Sequence, residues 1–173
     1  MRMTAMGVRR IPIVFRIVAA LVIAAGVWGA APVAATEIDF TKAVVIGSGS
    51  KMVVEFTDPD CPFCRKASTY FEGRSDVTRY IFFYPLPFHP KAREKARYIL
   101  SQHDSAHAYH EVMSGRLDGQ QSFSATPQGI KLQEEQLEIA KAHKVTSTPT
   151  FMIYGRIIEG FDLKRIEEAL GPK

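Results

Sequence analysis

The feature that most limits how this chain can fold is a pair of cysteines where two apolar segments meet. The first segment has the pattern of a strand, and the second has the pattern of a helix. Residues 52–57 form a nearly continuous apolar run, which is typical of a buried strand. Residues 58–60, Asp-Pro-Asp, break this run, and apolar side chains then recur at helical spacing over residues 63–71. We therefore predict that Cys61 and Cys64 lie at the start of a helix that directly follows a buried strand.

Other apolar patterns predict the elements that surround this unit. Four further strands are predicted: residues 43–46, 77–84, 150–154 and 156–159. Helices are predicted from the cysteine motif to Gly73, from Pro90 to Leu100, from a capping Asp104 to Gly115, from Gln133 to Lys144, and after a capping Asp162. Residues 115–129 have loop composition, and a tight turn at Gly155 makes the last two strands an antiparallel hairpin. We expect one α/β domain, a mixed sheet with helices on both faces and a helical insertion.

The amino-terminal segment differs from the rest of the chain in composition. Four arginines precede an apolar stretch that ends in small residues, as in a secretory signal peptide. We predict cleavage after Ala35, which leaves residues 36–173 as the mature domain. The apolar stretch approaches the roughly 20 residues that span a bilayer, so an uncleaved anchor is the alternative.

Removing this segment also changes the charge of the protein. The whole chain has a formal net charge of +4, and the segment carries four arginines and no acidic residue. The mature domain is therefore neutral and has no run of basic residues. Nucleic acid binding depends on neutralising phosphates, so we do not expect a nucleic acid partner.

The spacing and position of the cysteines suit exchange between a dithiol and a disulfide. Free N–H groups and the dipole at a helix N-terminus stabilise an anion. They lower the pKa of such a thiol from about 8.5 towards about 3.5 to 7. We predict that Cys61 is an exposed nucleophile, and that Cys64 is shielded and resolves the mixed disulfide.

Two other interpretations of the cysteine pair are open at this point. A purely structural disulfide would close a very short loop and so stabilise the fold little. A zinc site would need histidine ligands, because the chain has only two cysteines. His103, His107 and His110 have helical spacing, but a capping Asp104 would place His103 outside the helix. We favour solvent-exposed histidines and predict no metal site.

Two segments together point to a known family. Residues 56–64, from Phe56 to Cys64, follow a predicted strand, and residues 145–151, from Val145 to Phe151, precede another. These segments resemble the bacterial periplasmic Dsb thiol:disulfide oxidoreductases, most closely DsbC and DsbG. The resemblance covers about residues 43–170 and implies a thioredoxin-like fold and a periplasmic location.

The resemblance also implies roles for three further residues. In that family the proline that matches Pro149 is cis and lies against the active-site disulfide, and the backbone of Thr148 would pair with an extended substrate segment. A buried acid beneath the motif, matched by Glu55, helps to move the proton of the second cysteine. The strand pattern alone leaves Glu55 either buried, with a raised pKa, or facing outward at an edge.

Three features depart from the DsbC and DsbG pattern. Only residues 36–42 precede the first predicted strand, so we expect no N-terminal dimerisation domain of the kind that accompanies isomerase activity. Phe63 stands where the family usually has tyrosine. The additional structural disulfide of DsbC is missing.

Together these observations predict an exported protein thiol:disulfide oxidoreductase that needs no metal or organic cofactor. Its expected partners are exported proteins that contain cysteines and a membrane redox protein; contact with the membrane itself is expected only if the leader stays uncleaved. One rival is a dedicated reductant in cytochrome c maturation. The other is a non-catalytic module that binds extended peptides at Pro149. Whether the protein forms, isomerises or reduces disulfides is left open.

Overall fold

A mixed five-stranded sheet forms the centre of the protein. The computed structural model describes residues 37–172. The strands are β1 (Val44–Ile46), β2 (Lys51–Thr57), β3 (Val77–Phe83), β4 (Thr150–Ile153) and β5 (Arg156–Glu159). Their order in the sheet is β1-β3-β2-β4-β5. Strand β2 is central, parallel to β3 and antiparallel to β4, while β1 pairs antiparallel with β3. The predicted fold class is confirmed.

Within residues 37–172, five helices surround the sheet, and one 3-10 turn, Phe40–Lys42, precedes it. The helices are α1 (Pro62–Glu72), α2 (Ala92–Leu100), α3 (Ser105–Met113), α4 (Pro127–Ala142) and α5 (Leu163–Leu170). Both predicted caps are present. The Asp104 side chain accepts a hydrogen bond from the N–H of His107, and the Asp162 side chain accepts one from the N–H of Arg165. Each cap thus satisfies an otherwise unpaired donor at a helix start.

Two predicted helix starts are wrong. Helix α4 begins at Pro127, six residues before the predicted start, in a stretch that we expected to be loop. The Thr126 hydroxyl accepts a hydrogen bond from the N–H of Gly129 at 3.1 Å, and proline fits the first helical position because it needs no donor there. Helix α2 begins two residues later than predicted, at Ala92, because residues 86–91 form tight turns.

Glycine at position 129 explains how closely α4 approaches α2. A Cβ atom there would collide with the Ser101 hydroxyl and lie 2.9 Å from the carbonyl oxygen of Arg97. The absence of a side chain therefore permits the contact between the two helices, at the usual entropic cost of glycine in a helix.

The side chains of β2 alternate between two layers. Val53 packs with Ala67 and Phe71 of α1 on one face of the sheet. Val54 and Phe56 pack in a cluster with Ala140 of α4 on the other face. Because strand side chains alternate, Glu55 and Thr57 share the face of Val53, which is the face that α1 covers. The fold therefore places both residues beneath the cysteine helix.

The predicted leader, residues 1–35, lies outside the described residues. Among the helices of residues 37–172, none has the length and hydropathy that a bilayer crossing requires.

Candidate active site

The cysteine motif connects the end of β2 to the start of α1, as predicted. Cys61 is the N-cap of α1 and Pro62 occupies its first turn. The Cys64 sulfur accepts a hydrogen bond from the N–H of Asp58 at 3.4 Å. The Cys61 sulfur lies 3.5 Å from the carbonyl oxygen of Thr148. Two segments far apart in sequence therefore meet at the pair of sulfurs.

The burial of the two cysteines differs from our expectation in one respect. Cys64 has no exposed surface, which confirms that it is the deeper residue. Cys61 was expected to be exposed, and this is wrong, because only 4% of its surface is accessible. The contact with the Thr148 carbonyl accounts for the difference, since the loop that precedes β4 reaches the sulfur. Phe63, between the cysteines, is 57% exposed.

The two thiols have opposite acidities. The pKa of Cys61 is lowered from its usual value near 9 to about 6, chiefly by a hydrogen bond with the Cys64 thiol. The N–H groups of Cys64 and Phe63 and the Thr148 side chain lower it further, and burial partly opposes them. The pKa of Cys64 is raised, mainly by burial and then by its hydrogen bond with Cys61. At pH 7 the thiolate is therefore the main form of Cys61.

We expect alkylation of reduced Cys61 by iodoacetamide to follow this ionisation. The rate should rise between pH 4 and pH 7 with a midpoint near pH 6, because the thiolate is the nucleophile, and then stay level. Stopped-flow or mass-spectrometric alkylation of the reduced protein measures this dependence of rate on pH. A rate that keeps rising to pH 9, as for a free cysteine, would contradict the prediction.

The lowered pKa of Cys61 also stabilises the reduced fold. That stabilisation is complete above the unfolded pKa near 9 and is lost as the pH falls through 6.

Hydrogen bonds hold the loop that faces Cys61, residues 147–150, in place. The peptide bond between Thr148 and Pro149 is cis, as the family resemblance implied. Pro149 is buried, and its carbonyl oxygen accepts a hydrogen bond from the N–H of Gly160 at 2.7 Å. The Thr150 hydroxyl donates to the carbonyl oxygen of Ser147 at 2.8 Å. These bonds hold the Thr148 carbonyl beside the sulfur.

Glu55 is fully buried in the centre of the sheet, so the alternative of an outward-facing residue at an edge is wrong. Its Oε2 accepts a hydrogen bond from Nη1 of Arg79 at 3.2 Å, and the same nitrogen donates to the Tyr109 hydroxyl at 3.1 Å. Burial raises the pKa of Glu55, while the charge of Arg79 opposes the rise. The sequence pattern did not place Arg79 and Tyr109 at the site. Alternation along β3 could have placed Arg79 inward, but not beside Glu55.

Thr57 lies between Glu55 and Cys64 along this inner face. Its hydroxyl lowers the pKa of both neighbours, although neither contact has the geometry of a full hydrogen bond. The second carboxylate oxygen of Glu55, Oε1, is also buried without a hydrogen-bond partner. Buried polar atoms usually have a partner. The layer beneath Cys64 therefore holds groups that can accept or pass on a proton.

Asp58 binds a second loop to the motif, a role that the local sequence does not reveal because its pattern indicates only the end of a strand. Its buried carboxylate accepts hydrogen bonds from the N–H of Asp60 at 2.8 Å and from the N–H of Leu86 at 2.7 Å. It also lies 2.9 Å from Nδ1 of His89. The loop after β3 and the cysteine motif are thus held by one side chain.

The histidines of α3 have other neighbours than the cysteines. His107 lies 3.7 Å from a carboxylate oxygen of Glu111, and His110 lies 3.5 Å from one of Glu72. His103 precedes the cap of α3, as predicted. Over residues 37–172, no three histidine, cysteine or acidic side chains are grouped as metal ligands would be.

A family comparison places this arrangement among known proteins. The profile of the thioredoxin-like domain matches residues 39–162, which include both cysteines and Pro149. The chain belongs to the thioredoxin-like family. The match covers every strand of the sheet. It ends at Asp162, the residue that caps the start of α5.

Individual relatives of this thioredoxin-like chain confirm the resemblance to Dsb proteins. A probable thiol:disulfide interchange protein DsbC of Bordetella pertussis is 30% identical over 76 residues, 44% of this chain and 27% of the relative. The chain thus spans about a quarter of the length of the curated relatives it matches. A disulfide interchange protein from Neisseria gonorrhoeae is 28% identical, with a TM-score of 0.65, over 78% of this chain and all of that one.

A further solved structure shows the same fold at lower identity. A periplasmic thioredoxin-like protein from Salmonella enterica serovar Typhimurium is 20% identical, with a TM-score of 0.58. The similarity covers 79% of this chain and 92% of that one.

Proposed function

We propose that this protein is a thiol:disulfide oxidoreductase that acts on other proteins through Cys61 and Cys64. The observation that carries the proposal is the placement of two thiols on one helical turn, with Cys61 at the helix N-terminus beside the Thr148 carbonyl and Cys64 fully buried beneath it. This placement gives the two thiols opposite acidities. A thiolate at Cys61 can attack a disulfide at neutral pH, whereas Cys64 keeps its proton until a mixed disulfide has formed. A structural disulfide would need no such difference.

The reaction is a two-step exchange. The Cys61 thiolate attacks one sulfur of a substrate disulfide, the substrate S–S bond breaks, and the released substrate thiolate takes a proton from solvent. Cys64 then loses its proton and attacks the Cys61 sulfur. The mixed disulfide breaks, a second substrate thiolate leaves, and Cys61 and Cys64 are joined by a disulfide. Two electrons have passed to the substrate, and the reverse sequence oxidises a substrate dithiol.

Five other residues support these steps in the proposal. Glu55, in its carboxylate form, accepts the proton of Cys64, directly or through the Thr57 hydroxyl. The raised pKa of Glu55 brings its acidity closer to that of a thiol, which favours transfer of the proton. The Thr148 carbonyl, 3.5 Å from the Cys61 sulfur, and Pro149 form the edge along which an extended substrate segment lies. The exposed ring of Phe63 adds an apolar contact beside the sulfurs.

The predicted leader and the relatives support a place of action outside the cytoplasm. We propose that the protein works in the periplasm, where disulfides form and persist. Its substrates are then exported proteins that contain cysteines, and a membrane redox protein returns it to its starting state. The Salmonella structure of the same fold is described as periplasmic.

The acidity of Cys61 also bears on the direction of electron flow. A thiolate stabilised in the reduced form makes the pair a stronger oxidant. A Cys61 pKa of about 6 lies between the values of about 7 for thioredoxin and about 3.5 for DsbA. We therefore propose a reduction potential between those of the two proteins, about −270 and about −120 mV. Such a pair can exchange disulfides in either direction, depending on the partner.

Redox equilibration and turnover together test the function. We expect the purified chain to reach a two-electron equilibrium with glutathione at an intermediate potential, and to accelerate the reduction of insulin by dithiothreitol. Quenching by alkylation and mass spectrometry gives the potential, and insulin precipitation gives the rate. The control is dithiothreitol alone at the same concentration. A pair that equilibrates with glutathione but leaves the insulin rate unchanged would point instead to a peptide-binding module.

A further inference from the structure

Four charged side chains form a closed ring next to the cysteine motif. Nζ of Lys95 lies 2.5 Å from Asp60 Oδ1 and 2.7 Å from Asp118 Oδ1. Nη1 and Nη2 of Arg65 donate to the two carboxylate oxygens of Asp118 at 2.6 and 2.8 Å. Nη2 of Arg65 also lies 3.5 Å from Asp60 Oδ1, which closes the ring. Cations and anions alternate, so the ring has no net charge.

The ring joins three parts of the fold. Asp60 directly precedes Cys61, Arg65 lies in α1, Lys95 lies in α2, and Asp118 lies in the segment that follows α3. Nε of Arg65 also donates to the carbonyl oxygen of Pro59 at 2.8 Å, which fixes the backbone just before the nucleophile. The ring therefore ties the helical insertion to the loop that carries Cys61.

Lys95 is the most deeply buried member of the ring. Its side chain is only 4% exposed, whereas Asp60 is 19% and Asp118 is 45% exposed. A buried ammonium group is costly unless it is paired, and the two carboxylates supply that pairing. Charge interactions are also stronger in a poorly hydrated site than in water. Removing Lys95 would leave two carboxylates with one guanidinium, and one of those carboxylates belongs to the residue that directly precedes Cys61.

We propose that Lys95, with Arg65 and Asp118, is a positioning residue that neutralises Asp60 and so keeps Cys61 ionised at neutral pH. The proposal deepens the proposed function, since it assigns the tuning of the nucleophile to the helical insertion. A charge close to an ionisable group favours the form of opposite charge. The uncompensated carboxylate of Asp60 would therefore favour the neutral thiol. Other groups close to the motif, including Asp58, His89 and Cys64, stay unchanged in the variants below.

The test compares variants that change the ring charge in opposite directions. Lys95→Met leaves a net negative ring, and Asp60→Asn leaves a net positive one. We expect Lys95→Met to slow iodoacetamide alkylation of Cys61 at pH 5 about threefold to tenfold, and Asp60→Asn to accelerate it. The absorbance of the thiolate at 240 nm against pH gives an independent measure of the same ionisation. Arg93→Met, at an exposed cation of the same helix, is the control and should leave both unchanged.

The double variant separates charge from packing. Lys95→Met combined with Asp60→Asn removes one charge of each sign, and we expect it to restore the wild-type rate within about twofold. Changes of the same sign in all three variants would overturn the proposal, because they would indicate disturbed packing. Unchanged rates in both single variants would overturn it as well. Ionisation is measured without a protein substrate, so a failed insulin assay would count against the proposed function and not against this inference.

Discussion

Replacing Cys61 by alanine should reduce catalysed disulfide exchange to the background rate, whereas Cys64→Ala should stop the reaction half-way. The first variant lacks the reacting sulfur. The second keeps the thiolate that attacks the substrate, but it has no thiol to break the bond that forms. We therefore expect Cys64→Ala to accumulate a mixed disulfide between Cys61 and the substrate. Non-reducing electrophoresis and mass spectrometry of the trapped adduct with insulin measure this outcome.

The variants must be compared at matched ionisation. The hydrogen bond with the Cys64 thiol is the largest cause of the low pKa of Cys61. Cys64→Ala should therefore attack the substrate more slowly than the wild type at pH 6, and the difference should be smaller at pH 8. Trapping is therefore best measured at pH 8. Thr69→Ala, at an exposed position of the same helix, serves as the control and should turn over normally. Normal turnover by Cys64→Ala, or capture of substrate by Cys64 in Cys61→Ala, would contradict the assigned roles.

Replacing Arg79 by methionine should lower the free energy of unfolding by about 3–5 kcal/mol at pH 7, the usual cost of leaving a buried charge without its partner. Arg79 and Glu55 are both buried, and their contact is 3.2 Å. Methionine keeps most of the side-chain volume, so the loss reports on the charge and not on a cavity. Urea denaturation followed by circular dichroism measures it. The double variant with Glu55→Gln should recover most of the loss.

The pH dependence of this destabilisation has a defined sign. The folded pKa of Glu55 is raised, so this residue contributes most favourably to stability below the unfolded pKa near 4.5. That contribution is lost as the pH rises through the folded pKa. Without the charge of Arg79 the folded pKa rises further. We therefore expect Arg79→Met to differ from the wild type less at pH 5 than at pH 7.5. An equal difference at both values would show that Glu55 is not the affected group.

Glu55→Gln alone tests the proposed role of this acid in proton transfer. Glutamine keeps the shape of the side chain but cannot take the proton of Cys64 as a carboxylate. We expect resolution of a preformed mixed disulfide to slow about a hundredfold, near the lower end of general acid–base effects. The readout is release of a small thiol from Cys61. Alkylation of Cys61 should stay close to the wild-type rate, and an unchanged resolution rate would remove Glu55 from the mechanism.

Local patterns in the sequence determined much of the fold. The elements around the motif were predictable because their signals lie within a few residues: a strand breaker before Cys61, and the capping Asp104 and Asp162 before two helices. The start of α4 was missed although its signal was present, since Thr126 and Pro127 form an ordinary cap and first turn. The Gly, Gln and Ser residues of the surrounding stretch favour a loop and so obscure this capping signal.

The sequence by itself thus pointed to Cys61 as the residue that carries the proposed chemistry, because a thiol at a helix N-terminus is acidic for local reasons. Only the tertiary structure decided what surrounds that thiol. The Thr148 carbonyl that covers Cys61 is 87 residues away in sequence, Lys95 is 35 residues from Asp60, and Arg79 is 24 residues from Glu55. Periodicity shows which face of an element is buried, but not which buried group it meets. Those pairings depend on how the sheet orders its strands and where the insertion packs.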